Sequence, residues 1–395
     1  MRFIKIITII VGLIACIQCA PKNTSGTIDE TLDYSQASTE ELLKRHESGD
    51  VHATFSLGFY HFFNEDTSVK EDVKDVDVGL KYLQDAHDKG HMTAHSNLSL
   101  IYEMGLFDVE VDEERANNYT LQGAQRGSDI GKLNYGLHNL DNADAKIAQQ
   151  SHDYLFEIAD KDQVGGVANQ YLANLYYFGN QHFDVDYESA RLFAENCVLF
   201  KTSEGRCEFI LARDYSQGWG GPENQERSAV LFLQGAERGS AAAMWYAGMN
   251  ALNGDYVEKN EVDAFKWVKK SAALDYQNAL ISLGVMHALG QGTDIDYKQA
   301  YSSYNRAAIL ESPHAIRSIA GMYCNGEGRD VDTDKCAAGL FLAWEHGDDQ
   351  ASLLLNDYFS FTQNDLVSLK TQQLPKKTYW TEKYPWLLKL SNKNP

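Results

Sequence analysis

Small residues recur along most of the chain in pairs that are five positions apart. Leu or Ile often stands directly before the second member of the pair, and Tyr often stands three positions after it. The first members follow one another at intervals of 36 to 41 residues. A period of this length is typical of stacked helical repeats. The eight pairs are Ala53/Gly58, Ala94/Ser99, Gly131/Gly136, Ala168/Ala173, Cys207/Ala212, Ala243/Gly248, Ala279/Gly284 and Ala315/Ala320.

A second pattern marks the turns and the ends of the repeats. A turn that is rich in Gly and Asp follows several of the pairs, as in residues 290–296 and 326–332. Its last Asp can cap a second helix, and the apolar residue before it, such as Ile295, can pack as a staple. Asp77, Asp112 and Asp186 occupy the same place in other repeats. A glycine then stops the second helix, as at Gly49, Gly90, Gly127, Gly239 and Gly347.

Each period therefore predicts two helices joined by a turn. The small residues face the neighbouring helix, where they allow the two backbones to approach. One such hairpin cannot bury its apolar face alone, so the hairpins must stack. We predict an all-α fold, a right-handed superhelical solenoid of about eight hairpins over residues 38–355. A half unit at residues 38–49 precedes the hairpins, and a last helix at residues 351–360 covers the stack.

The complete pattern, Ala-x-x-x-Leu-Gly-x-x-Tyr-x-x-Gly-x-Gly…Asp…Ala-Ala-x-x-Gly, resembles the Sel-1-like repeats (SLR), which are relatives of the tetratricopeptide repeat. The resemblance is strongest in residues 241–347, whereas units three and four depart from it and Asn139 replaces the usual Tyr. It implies a structural role for the repeat glycines Gly58, Gly136, Gly248 and Gly284.

The resemblance also implies a non-enzymatic interaction scaffold with an extended concave surface. By analogy with tetratricopeptide grooves, partner contacts are expected three positions before, one after and four after the second small residue, on the other face of each first helix. The main candidates at these positions are Phe59, Asn174, Tyr177, Arg213, Trp245, Met249 and Arg317, with Phe55, Phe62 and Gln170 beside them. Several of them could instead belong to the core.

The first residues have the composition of an export signal. Arg2 and Lys5 precede an apolar run that is too short to span a membrane comfortably. The run ends in Leu13-Ile14-Ala15-Cys16, which resembles a bacterial lipobox. This implies residues 1–15 as a lipoprotein signal peptide, Cys16 as the acylated residue, and residues 16–37 as a flexible tether. Gln18 is not the Asp that signals inner-membrane retention, so the periplasmic side of the outer membrane is expected. Cleavage after Ala20, giving a soluble secreted or periplasmic protein, is the alternative.

Four further cysteines fall in two pairs near helix ends. Cys197 and Cys207 lie on successive helices, and Cys324 and Cys336 flank the turn of one hairpin. Both pairs could come within disulfide reach, which a periplasm would permit. The first placement resembles the inter-helix disulfides of the cysteine-rich SLR proteins. Buried free thiols remain the alternative.

Composition and charge narrow the possible functions. There are 35 Lys and Arg against 56 Asp and Glu, a net charge of −21, so nucleic acid is an unfavourable partner. The sequence lacks the Ser-x-x-Lys, Ser-Asp-Asn and Lys-Thr-Gly motifs, a nucleophile elbow and a phosphate-binding loop. We therefore expect no enzyme and no cofactor, and we expect other cell-envelope proteins as partners. An accessory lipoprotein of polysaccharide secretion and a cell-wall-directed hydrolase are the alternatives, and an adaptor of the eukaryotic endoplasmic reticulum is a weaker one.

Two clusters and one tail have competing interpretations. His87, His91 and His95 are four apart, but Gly90 separates them, so we expect solvated histidines and no metal site. Asp330, Asp332 and Asp334 lack the other residues of a calcium loop and fit helix capping. Residues 356–395 form a C-terminal cap with a basic, aromatic tail, which either packs on the final repeat or docks an acidic surface.

Overall fold

The computed structural model describes residues 37–63, 75–91, 93–200 and 204–359. The predicted signal peptide, Cys16, most of the tether and the basic tail lie outside the described residues. No described helix has both the length and the apolar character needed to cross a membrane.

The chain divides into two compact units, residues 1–185 and 186–395. Unit 1 contains eight described helices, with a short 3-10 turn at Leu106–Asp108: α1 Thr39–Glu47, α2 Val51–Phe63, α3 Val76–Asp88, α4 Ala94–Met104, α5 Glu113–Gln125, α6 Asp129–Asn139, α7 Ala145–Glu157 and α8 Gly165–Phe178. Unit 2 contains ten: α9 Tyr187–Phe200, α10 Arg206–Gln217, α11 Gln225–Glu237, α12 Ala241–Asn253, α13 Glu261–Ala273, α14 Gln277–Leu289, α15 Tyr297–Ile309, α16 Pro313–Asn325, α17 Thr333–Glu345 and α18 Asp349–Phe359. All secondary structure in the described ranges is helical, as the repeat predicts.

The helices begin where the turn sequences predict. Asp112 accepts a hydrogen bond from the backbone N–H of Arg115 at 2.9 Å, and Asp332 accepts one from that of Lys335 at 2.9 Å. Each carboxylate satisfies a backbone donor that the first turn would leave unpaired. One capping assignment was wrong. Asp75 caps α3, not Asp77, which lies inside its first turn.

The helices end at glycines in the left-handed region. Gly90 and Gly127 have φ angles of 90° and 87°, and Gly239 and Gly347 reach 108° and 97°. A residue with a Cβ rarely adopts this conformation, so glycine there stops the helix and reverses the chain.

The second small residue of the repeat marks the closest approach within a hairpin. A Cβ built on Gly58 would lie 2.7 Å from the side chain of Leu83, and one on Gly136 would lie 2.6 Å from Leu155. In unit 2 the corresponding distances are 2.8 Å from Gly248 to Val268 and 2.4 Å from Gly284 to Tyr304. All four glycines therefore have the structural role that the sequence predicts for them.

Candidate functional site

The first helices of the four hairpins in unit 2 form the candidate site. They are α10, α12, α14 and α16, and we call their half-exposed side the first-helix face of unit 2. Its central residues are large and apolar, although they pack partly against the core. The half-exposed residues at the predicted contact positions are Phe209, Arg213, Ser216, Trp245, Met249, Leu252, Ile281, Val285, Ala288, Arg317, Gly321 and Cys324.

Side chains on this face connect successive helices. Arg213 of α10 donates a hydrogen bond to the hydroxyl of Tyr246 on α12, and its guanidinium lies 5.4 Å from the ring centre of Trp219. The indole N–H of Trp245 donates to the hydroxyl of Ser282 on α14 at 2.9 Å. These contacts hold an arginine and a tryptophan in fixed positions, which lowers the entropy that a partner's binding would cost.

The far end of the face combines a held arginine with an open position. Arg317 of α16 donates from Nε to the carboxylate of Asp348 at 2.7 Å, and that carboxylate is buried. One turn later, a Cβ built on Gly321 would meet nothing within 4 Å. The surface beside Arg317 therefore has room for a group from another molecule.

Two predicted contact residues in unit 1 are part of the core. Phe59 and Tyr177 each expose only 7% of their surface. Phe59 packs between Phe55 and Phe62, which are also buried. Phe55, Phe59, Phe62 and Tyr177 are therefore core residues, and the prediction that they line a groove was wrong for all four. Asn174 and Gln170 remain half-exposed.

Unit 1 has a cavity with an acidic lining, in contrast to the largely apolar first-helix face of unit 2. Its volume is about 480 Å³, and it lies between α4, α5 and α6. Its lining is acidic and contains one histidine: Glu103, Glu113, Glu114, Ala116, Asn117, His138 and Asn139. Within the described ranges, no group of three or more His, Cys, Asp or Glu side chains could hold a metal ion.

The three histidines of unit 1 are buried, so the expectation of solvated histidines was wrong. His87, His91 and His95 expose 2%, 8% and 2% of their surfaces. His91 stacks on Phe55 and lies 3.1 Å from His52, between Nε2 and Nδ1. His95 packs against Gly123, where an added Cβ would lie 2.0 Å from the imidazole ring. Glycine at that position leaves the space that the ring occupies.

Burial lowers the pKa of these histidines. Loss of hydration lowers the pKa of His91 to about 3, and the nearby His52 and His95 act in the same direction. The same loss lowers the pKa of His95 to about 4, helped by His87 and Arg126. The imidazoles are therefore neutral at pH 7, and their protonation would oppose folding.

Asp214 is a buried carboxylate on α10, next to Arg213. It is 0% exposed, and neither carboxylate oxygen has a hydrogen-bond partner within the described part of the chain. Loss of hydration raises its pKa to about 7, an effect that Glu195 reinforces and that Arg191 and Arg213 oppose. Sequence analysis missed this group because no motif distinguishes it from a surface aspartate.

Replacing Asp214 with asparagine should stabilise unit 2 at pH 8 by about 1–3 kcal/mol. The folded-state pKa lies above the unfolded value, so folding favours the protonated form, and the penalty is largest above pH 7. At pH 4 the folded carboxyl group is protonated and the unfolded one is about half protonated, so little of the penalty remains and wild type and variant should agree within about 1 kcal/mol. Urea unfolding at the two pH values measures the difference. An equal change in the free energy of unfolding at pH 8 and at pH 4 would show that the charge of the carboxylate does not cause the stabilisation.

Both cysteine pairs form disulfides, as predicted. Cys197 and Cys207 have Cα atoms 6.2 Å apart and join α9 to α10. Cys324 and Cys336 are 5.0 Å apart and join α16 to α17. All four residues belong to unit 2. The first bond joins α9 to the first hairpin of the array, and the second lies within the last hairpin.

Comparison with known proteins identifies the repeat. The Sel1 repeat family model matches residues 93–128, 206–240, 241–276, 277–312 and 313–342. No curated protein matches the chain. A crystal structure of a Sel1 repeat protein from Oxalobacter formigenes is 22% identical, covers 88% of this chain and 99% of its own, and has a TM-score of 0.59. A protective antigen of uropathogenic Escherichia coli strains with an SLR fold is 18% identical, with 91% and 98% covered and a TM-score of 0.36.

Four of the five matched repeats are consecutive and supply the helices of the first-helix face of unit 2. The spacing of the small residues, the helical hairpins and the family match agree with one another. The chain therefore carries five Sel1 repeats, its described part is helical in both units, and such repeats suggest a scaffold for protein–protein interaction.

Proposed function

We propose that this protein is a non-enzymatic scaffold of the bacterial cell envelope that binds other envelope proteins. One observation supports it above the others, namely that large, half-exposed side chains lie on successive first helices of one repeat array. Trp245, Met249, Ile281 and Val285 provide apolar anchors of this kind. Aromatic residues and arginines contribute most strongly to protein interfaces, and stacked hairpins present them over an extended surface.

The positions of the titratable groups with large pKa shifts agree with a scaffold. His91, His95 and Asp214 have large shifts, but all are buried in packing between helices. Strong shifts at a catalytic site would instead be expected in a cleft that a substrate can enter. We therefore relate the pKa shifts of these three residues to the stability of the fold.

The cellular location that we propose is the periplasmic side of the outer membrane. The lipobox at Leu13–Cys16 supports lipid attachment at Cys16, which would be the protein's contact with the membrane. The two disulfides support an oxidising compartment, because such bonds form and persist in the periplasm.

Replacing Cys16 with alanine should abolish incorporation of a palmitate analogue in bacteria that express the full chain. Acylation requires the thiol of that cysteine, so a variant without it has no attachment point. Cys19→Ala is the matched control, because it removes a neighbouring thiol and should be labelled like wild type. Equal labelling of both variants would rule out anchoring through Cys16.

The scaffold itself is tested by photo-crosslinking in intact cells. A photoreactive phenylalanine at Met249 should give discrete adducts with a defined envelope protein, whereas one at the exposed Lys298 on α15 should not. Trp245→Ala should reduce the adduct from Met249 several-fold. Identical adducts from both positions, or none from Met249, would contradict a binding role for this face.

A further inference from the structure

The two disulfides of unit 2 differ in the exposure of their cysteines. Cys197 and Cys207 are each 0% exposed, and Cys336 exposes only 1% of its surface. Cys324 is half-exposed and lies on the first-helix face of unit 2. One of the four cysteines is therefore accessible from outside, and it belongs to the bond between α16 and α17.

The surface beside Cys324 is also open. Gly321 lies three residues earlier on the same side of α16, and a Cβ built on it would meet nothing within 4 Å. A thiolate that attacks a disulfide must reach one of its sulfur atoms, so access decides which bond reacts. Cys207 and Cys336 both lie among the first four residues of their helices, where the helix N-terminus favours a departing thiolate. Access to Cys324 is therefore the feature that distinguishes the two bonds.

We propose that the Cys324–Cys336 disulfide is a redox switch that exchanges with a dithiol protein and thereby controls the packing of α17 and α18. A thiolate of the dithiol attacks Sγ of Cys324, the bond to Cys336 breaks, and its electron pair leaves on Sγ of Cys336, which takes up a proton. The second thiol of the dithiol loses its proton and attacks the mixed disulfide, and Cys324 leaves as a thiolate that is then protonated. The dithiol is oxidised to a disulfide, and the protein gains two thiols. The buried Cys197–Cys207 bond stays intact under the same conditions.

The exchangeable bond holds together the end of the described array. Its cysteines are 12 residues apart, and a cross-link restricts the opened hairpin, so its loss favours separation of α16 from α17. Repeats gain stability from their neighbours, and no described helix follows α18. Asp348 lies between α17 and α18, where it accepts hydrogen bonds from Arg317 and from the backbone N–H of Ala351. Opening of the hairpin would separate this carboxylate from Arg317, so reduction would alter the far end of the first-helix face.

The first test compares the two disulfides in the full-length protein in detergent. Dithiothreitol is added, free thiols are alkylated at successive times, and the labelled peptides are quantified by mass spectrometry. Cys324 and Cys336 should become alkylated together, roughly tenfold or more faster than Cys197 and Cys207. In urea, which unfolds the chain and removes the difference in access, the two bonds should be reduced at similar rates. Equal rates in the folded protein, or faster reduction of the Cys197–Cys207 bond, would overturn the proposal.

Two further experiments locate the attack on Cys324. Gly321→Trp covers the open surface and should slow reduction several-fold, whereas Gly321→Ala, its control, should change the rate less than twofold. Thermal unfolding checks that both variants remain folded. Thioredoxin whose second active-site cysteine is replaced by serine cannot resolve a mixed disulfide, so it should be trapped on wild type through Cys324. Trapping through Cys336 or through the buried pair would contradict the proposal, and this result does not depend on the tryptophan variant.

Hydrogen exchange tests the effect of the bond on packing. When only the Cys324–Cys336 bond is reduced, exchange in α17 and α18 should become several-fold faster, whereas exchange in α10 to α13 should change less than twofold. The variant Cys324→Ala/Cys336→Ala should exchange like reduced wild type and should no longer respond to dithiothreitol. Unchanged exchange in α17 and α18 after reduction, or a response that persists in the variant, would refute the switch.

Discussion

Gly284→Val should lower the free energy of unfolding of unit 2 by about 2–4 kcal/mol. The new Cβ would lie 2.4 Å from the ring of Tyr304, and that ring is only 5% exposed in the core between α14 and α15. A buried ring has no free space to move into, so the two helices must separate. Valine also restricts its own side-chain rotamers within a helix, which adds a smaller cost.

Gly321→Val is the matched control for this prediction. It introduces the same side chain into a first helix of the same array, but the added Cβ meets nothing within 4 Å. We expect a change of less than about 1 kcal/mol, because valine favours a helix slightly more than glycine does. The exposed Lys298→Ala should change stability by less than about 0.5 kcal/mol. Similar losses from the two valine variants would show that contact with Tyr304 is not the cause.

Hydrogen exchange shows where the damage from Gly284→Val extends. Repeat arrays derive their stability from each repeat and its neighbours, so protection should fall first in residues 243–347. The first hairpins of unit 1 should keep their protection. Uniform loss from residue 53 onward would mean that the chain unfolds as one cooperative core, and the scaffold proposal would lose its structural basis.

Local features of the fold could be predicted well from the sequence. A glycine at the closest helix approach and an aspartate before a helix both act through neighbours at fixed sequence spacing, so Gly248 and Asp332 could be assigned from pattern alone. The disulfide Cys324–Cys336 could be predicted for the same reason, because its cysteines flank one turn. Short-range geometry determines all of these features.

The exposure of side chains on the first helices could not be predicted in the same way. Phe59 and Met249 occupy related positions in their repeats, yet one is buried and the other is half-exposed. In unit 1, Phe59 packs between Phe55 and Phe62 of its own helix, and Phe62 stacks on Phe107 from the following repeat. His95 is buried because Gly123 on the next helix leaves room for it. Such complementarity joins residues with no fixed spacing, so a repeat pattern does not reveal it.

Acidification from pH 7 to pH 4 should destabilise unit 1 through its buried histidines by about 3–6 kcal/mol. His91 and His95 have folded-state pKa values of about 3 and about 4, below the usual 6.5. As the pH falls below 6.5, the unfolded chain takes up protons that the folded unit does not. The loss therefore begins near pH 6.5, and for each group it is complete once the pH passes below its folded-state pKa.

The double variant His91→Gln/His95→Gln separates this effect from the general effect of acid on carboxylates. Glutamine does not titrate in this range, so the free energy of unfolding of unit 1 should depend much less on pH in the variant. This holds even if the variant is less stable than wild type at pH 7. Hydrogen exchange of α2 to α5 at pH 7 and pH 4, corrected for the intrinsic exchange rate, provides the measurement.

Asp214 should act in the opposite direction in unit 2, because protonation relieves its buried charge as the pH falls from 7 to 4. Acid should therefore open unit 1 while unit 2, with the first-helix face, stays folded. Loss of protection in both units together, or a double variant with unchanged pH dependence, would show that the buried histidines do not control the acid response.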